Sequence, residues 1–365
     1  MTGISGGPPD RARAGRGAVR RRAGALAVLL AVVLAGVLAV VGTGGGWLAA
    51  VTAAGDERPL VVTSTTILAD LARQVGGERV RVYSLLSPGQ DPHTYEPVPR
   101  DGLALSHADL VLLNGYGLDL WAERLLAGAE GEEREAGALD RPGVQDRDAR
   151  PGARDRAPGP DAATRAPRRV VRVAEEVPVK PLPWPGTPGH HDPHLWMDPT
   201  LVILFVERIR DALAHVDPQG APVYARRAAG LVEELRALDA WIQDRVATLP
   251  PDRRKLITTH DAYRYFGRRY GIEILDTVWG ISTEEEPSAA QLARLFRRLR
   301  AFGLPAFVET TINPKLMEEL AAQAGVRIGG QLYADALGPP GSGAETYIGM
   351  MRHNVETIVG ALRGP

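Results

Sequence analysis

Seven residues with apolar bodies, Tyr224, Ala228, Leu231, Leu235, Leu238, Ile242 and Val246, recur at three- and four-residue steps. That spacing is one face of an α-helix. In a strand, successive side chains alternate between faces, so these seven could not share one. The stripe predicts a helix from about Ala221 to Thr248. At ~1.5 Å per residue it runs about 40 Å, enough to lie along two domains. Whatever this chain folds into must offer apolar cover along that whole length.

On either side of the stripe, short apolar runs alternate with helical segments. Before it, Leu60 to Thr63, Val80 to Leu85, Leu110 to Leu113 and Val170 to Val173 read as strands. Helices are expected over Ile67 to Val75, closed by Gly76-Gly77, and over about Thr200 to Ala214. After it, Leu256 to Thr259, Ile272 to Leu275 and Pro305 to Val308 read as strands, the last ending at Glu309. They alternate with helices over Ser288 to Phe302, Pro314 to Ala324 and Thr346 to Leu362. Strands with intervening helices predict parallel sheets. The expected fold class is α/β, with two similar parallel-sheet lobes joined by one long helix. The expected limits are 56–220 for the first lobe, 221–249 for the linking helix and 250–365 for the second lobe.

Composition narrows the functional classes. A formal net charge of −1 gives no reason to expect nucleic acid as a partner. The chain contains no cysteine, which excludes disulfides, thiolate metal sites and a thiol nucleophile. Residues 1–55 read as a signal peptide or membrane anchor. Arg11, Arg13, Arg16, Arg20, Arg21 and Arg22 precede an uncharged apolar run from about Ala23 to Val41, then a small-residue stretch. Such a segment predicts export, with membrane attachment if it is retained. Residues 127–168 are rich in Gly, Pro, Asp and Arg, and read as a disordered insert in the first lobe.

Two tripeptides about a hundred residues apart carry the chemistry: Asp91-Pro92-His93 and Asp192-Pro193-His194. Proline stiffens the backbone just before each imidazole and biases the preceding Asp toward extended geometry. A third imidazole, His260, follows the strand Leu256 to Thr259. Asp335 lies in a loop rich in Gly and Pro. Ligands of open parallel sheets bind at the carboxyl ends of strands. Two candidates come from each lobe, so the expected site lies in the cleft between them. Three imidazoles and one carboxylate satisfy a tetrahedral Zn2+ with no open position, which argues for binding rather than catalysis.

Several longer stretches surround these residues. They are Asp91 to Pro97, His191 to Pro199, Thr259 to Tyr263, Glu286-Pro287-Ser288, Asp335 to Gly338 and Thr346 to Asn354. Together they resemble the metal-binding solute-binding proteins of ABC importers for zinc and manganese. The resemblance covers about Leu60 to Leu362. It implies metal ligands at His93, His194, His260 and Asp335, two lobes on a rather rigid helix, and an ABC permease as partner. It also implies an extracytoplasmic location, a monomer, and capture rather than turnover of the metal. His at the third position is typical of zinc handlers and Glu of manganese or iron handlers, so His260 points to Zn2+, with Mn2+ or Fe2+ the alternative. The chain departs from many relatives in lacking a lipid-anchor cysteine and a long His-rich loop.

Other residues read more plainly. Glu309 ends a strand and is a lesser candidate as ligand or as partner to one. His190 and His191 flank the second motif as solvated loop residues, while His107, His215 and His353 are structural or surface residues. Trp196 and Tyr263 are expected to pack beside the ligands and exclude water. Asp198 and Asp217, each before a proline, are expected at helix starts or turns. A metal-dependent hydrolase is the competing class, but the His-Glu-x-x-His pattern is absent. A receptor for a siderophore or corrinoid would need a wide aromatic cleft, and only 5% of the chain is aromatic.

Overall fold

A computed structural model of the chain describes residues 57–128 and 168–364. The export segment at 1–55 and nearly all of the 127–168 insert lie outside the described residues.

The first lobe is a parallel sheet of β1 (Leu60–Thr63), β2 (Arg81–Ser84), β3 (Leu110–Leu113) and β4 (Arg169–Arg172), in the order β2-β1-β3-β4. β1 and β3 sit centrally and bury nearly every residue. That is why they read as continuous apolar runs rather than alternating ones. Helices α1 (Thr66–Gly76), α2 (Pro99–Ser106) and α3 (Pro199–Val216) accompany the sheet. Thr65 caps α1 by accepting from the Leu68 N–H, and Asp198 caps α3 by accepting from the Thr200 N–H. Asp217 accepts from the Gly220 N–H and the Tyr224 hydroxyl at the next turn.

The connecting helix is α4 (Ala221–Ala247). All seven stripe residues are buried on it, joined by Val232 and Asp239. One end packs on α1 and α3, and the rest on α5 (Arg264–Tyr270) and α8 (Tyr347–Leu362). A single apolar core therefore runs through both lobes, from Val61 and Phe205 to Phe307 and Val355. Each large side chain buried there contributes about 1.5–3 kcal/mol.

The second lobe has β5 (Lys255–Thr258) paired with β6 (Glu273–Thr277), and β7 (Ala306–Glu309) paired with β8 (Ile328–Leu332), all parallel. β5 and β7 are neighbours, but the ladder is hydrogen-bonded as two pairs with an irregularity in each. Helices α6 (Ala289–Phe302) and α7 (Lys315–Ala324) cover one side. Ser288 and Gln291 close a reciprocal cap on α6.

Three elements escaped the sequence reading: α2, α5 and β8. β8 carries Gly329 and Gly330, which ordinarily argue against a strand. Here close packing requires them. A Cβ at Gly330 would sit 2.4 Å from the Thr357 methyl of α8, and one at Gly329 2.7 Å from the Phe307 ring. Among the described residues, no helix is long and apolar enough to cross a membrane.

Candidate metal centre

The four predicted residues meet. One atom from each of His93, His194, His260 and Asp335 lies within 4.8 Å of all the others. His93 follows β2, and His260 follows the end of β5. Asp335 follows β8, and His194 sits just before the short turn that leads into α3. The Nε2 of His194 is 3.4 Å from those of both His93 and His260. The Asp335 carboxylate places one oxygen 3.4 Å from His194 Nε2 and the other 3.1 Å from His260 Nε2. Neither oxygen accepts a well-aligned hydrogen bond, although both are fully buried. An unsatisfied buried carboxylate beside three convergent imidazole edges is costly unless a cation sits among them.

The far edges of two imidazoles are held by carboxylates. Asp192 accepts from His194 Nδ1 at 2.8 Å, and Glu309 accepts from His260 Nδ1. A carboxylate can only accept, so Nδ1 is the donor in each ring. In the neutral ring that leaves the Nε2 lone pair facing the cluster, the tautomer that a metal requires. Glu309 thus lies behind His260 and not among the four. Asp192 was visible in the sequence only as part of its tripeptide. Its reach to His194 Nδ1 depends on how the turn closes.

Each tripeptide forms the same turn. The Asp side chain accepts the N–H of the His two residues on, at 2.9 Å for Asp91 and 3.0 Å for Asp192. The proline carbonyls are also gripped, Pro92 by Trp121 Nε1 and Pro193 by Asn114 Nδ2. Trp196 and Tyr263 hold the Asp335 loop by donating to the carbonyls of Ala334 and Tyr333. Asn354 exchanges two hydrogen bonds with Tyr333, and Thr66 Oγ1 receives the Leu337 N–H. The aromatics therefore do more than exclude water: they fix the backbone that presents Asp335.

His93 is the least enclosed of the four, at 9% exposure, against 0% for His194 and His260. The remaining histidines stay out of the cluster. His191 stacks near Tyr116, His190 near Trp184, and His353 bonds the Gln331 carbonyl. His107 and His215 are exposed.

The imidazoles are electrostatically unequal. Burial pushes His93 down to about 3. Burial also disfavours charge on His194, but the carboxylates of Asp192 and Asp335 outweigh it and raise the ring to about 9. His260 is likewise raised against its burial, by Glu309 and Asp335. Asp335, despite burial, is held well below the usual carboxylate range by His260 and His194.

Comparison with known proteins places this architecture. The profile of the ZnuA family, zinc-uptake complex component A periplasmic, matches residues 61–361. The chain belongs to this family of metal-binding solute-binding proteins. It is 35% identical over 327 residues to the manganese-binding lipoprotein MntA of Halalkalibacterium halodurans, covering 89% of this chain and 96% of that one. It is 33% identical over 316 residues to the zinc-binding protein TroA of Treponema pallidum, covering 85% and 91%. The solved structure of that periplasmic protein superposes with a TM-score of 0.70 at 31% identity, covering 84% of this chain and all of the other.

Proposed function

We propose that the protein captures one Zn2+ outside the cytoplasm and hands it to an ABC permease. His93, His194 and His260 would bind through Nε2 and Asp335 through its carboxylate. The observation that carries this reading is the third imidazole, His260, buried on the cluster with Glu309 behind it. Three neutral nitrogen donors and one carboxylate suit Zn2+ in four-coordination, whereas Mn2+ is better served by a richer oxygen set. A manganese reading has its own support in the 35% identity to a manganese-binding lipoprotein.

Binding rather than catalysis follows from the donor set. The four candidate donors lie within 4.8 Å of one another and would fill a tetrahedral Zn2+, leaving no position for an activated water. Asp192 and Glu309, the carboxylates hydrogen-bonded to the imidazole Nδ1 nitrogens, are thereby engaged and not free to act as general bases. Export through residues 1–55 and delivery to a permease fit a family whose profile is named for a periplasmic uptake component.

The test is elemental analysis of protein purified without added metal, followed by Zn2+ and Mn2+ titrations of the stripped protein. One Zn2+ per chain is expected, with binding abolished in His194→Ala and His260→Ala. Mn2+ retained against equimolar Zn2+ would overturn the choice of metal. Undiminished binding in both variants would overturn the site.

A further inference from the structure

The two Asp-Pro-His aspartates share a feature beyond the turn they make. Each uses one carboxylate oxygen on its own histidine and offers the other to the opposite lobe. Asp91 Oδ1 accepts the His93 N–H, while its Oδ2 accepts the Thr283 hydroxyl at 2.6 Å. Asp192 Oδ1 accepts the His194 N–H and Nδ1, while its Oδ2 faces Arg264 Nη1 at 3.3 Å. Thr283 lies in the loop between β6 and α6, and Arg264 is the first residue of α5. Both donors belong to the second lobe, and both acceptors to the first.

Resting on the metal site proposed above, we infer that Asp91 and Asp192 are paired interlobe latches, with Thr283 and Arg264 as positioning residues that act through them. When the lobes are together, Thr283 and Arg264 fix the two carboxylates, and these fix the two histidines of the first lobe. Parting the lobes breaks both contacts and frees His93 and His194 to turn. The Arg264 end is reinforced at the backbone. Its Nη1 also donates to the Pro183 carbonyl at 2.8 Å, and Tyr265 OH donates to the Asp192 carbonyl. The Thr283 end is a single hydrogen bond, to the aspartate that holds the most exposed of the three histidines. That end is the one that opens first. Metal release is thereby coupled to lobe separation without a hinge in the long helix.

The test compares Thr283→Val, Thr283→Ser, Arg264→Gln and Arg264→Met in the full chain. Arg294→Gln is the control, because Arg294 pairs with Asp276 within its own lobe. Zn2+ release is followed by stopped-flow transfer to a chelator, and association is measured separately. Thr283→Val is expected to speed dissociation about 2- to 10-fold, the equivalent of one net hydrogen bond, with association little changed. Thr283→Ser should restore the wild-type rate. Arg264→Gln should speed dissociation at least as much, and the double variant should exceed either single one. Amide exchange of the metal-free protein should rise at residues 91–94 in Thr283→Val. Wild-type release rates in both Thr283→Val and Arg264→Gln would overturn the latches, as would equal acceleration in Arg294→Gln. Should Arg264→Gln fail to fold, Arg264→Met takes its place, and a wild-type rate in it would count against that latch. Intact binding in His194→Ala would instead sink the site reading beneath it.

Discussion

Glu309 accepts hydrogen bonds from both the backbone N–H and the ring Nδ1 of His260, residues 49 positions apart in the chain. The ends of β5 and β7 lie side by side, so one strand end supplies a candidate ligand and the next supplies the carboxylate that orients it. The result is an imidazole held at two points by one carboxylate, with Nδ1 its donor and Nε2 turned toward the cluster.

Replacing Glu309 with Gln keeps the shape and removes the charge. Zn2+ affinity should fall about 10- to 100-fold, the usual cost of losing such a partner. Competition with a chelating indicator measures it. An affinity within twofold of wild type would show that the charge on Glu309 contributes nothing.

Proton competition should start above neutrality. Unperturbed imidazoles of pKa about 6.5 would confine it to below about pH 6. In this site His194 is raised to about 9 and His260 is raised too, whereas His93 is lowered to about 3. Zn2+ must displace protons from the two raised rings and none from His93 above about pH 5. Apparent affinity should therefore decline already from about pH 9 downward, with nearly two protons released per Zn2+ at pH 7. Calorimetry in buffers of different ionisation enthalpy counts the protons. Release near zero at pH 7 would contradict the assignment.

The same shifts set how the metal-free fold responds to pH. His194 has a folded pKa above its unfolded value, so its stabilising contribution is full below about pH 6.5 and lost as pH rises through about 9. His93 has the opposite sign: its burial in neutral form costs stability as pH falls from about 6.5 toward 3. Melting temperatures of the metal-free protein and its His93→Gln variant between pH 4 and 7 check this. The acid-induced loss should shrink in the variant.

Trp196→Phe should weaken Zn2+ binding without replacing a candidate ligand, and it keeps an aromatic ring beside His194. It removes the donor to the Ala334 carbonyl, one residue before Asp335, and leaves that buried oxygen unpaired. The stability cost should be about 1–3 kcal/mol. Denaturant unfolding and Zn2+ titration measured together decide it. Loss of stability with unchanged affinity would show that the Asp335 loop is held well enough without Trp196.

Leu235→Ala should cost about 2–5 kcal/mol, since Leu235 is fully buried on the middle of α4. Because α4 carries core for both lobes, unfolding should remain one transition at a lower midpoint. Two separated transitions would mean that the lobes fold independently.

Much of this protein is set locally and could be read from the chain. The stripe from Tyr224 to Val246 specified α4, because helical periodicity is a property of neighbouring residues. The central strands β1 and β3 were legible because burial on both faces makes them apolar throughout. His93 and His194 stand out in sequence because proline-stiffened turns carry them, His260 because it ends a strand, and Asp335 through the family resemblance; the fold brings the four together. Only the tertiary structure decided what stands behind them. β8 needed the closeness of α8 to explain its glycines, and α5 showed its purpose only when Arg264 met Asp192. The inequality of the three imidazoles also came from folding. His93 has burial and the two other imidazoles set against the Asp335 charge, whereas His194 and His260 each gained a second carboxylate, Asp192 and Glu309. Periodicity and turns depend on bonded neighbours, but charge and hydrogen bonding depend on distance in space, and only the fold sets that distance.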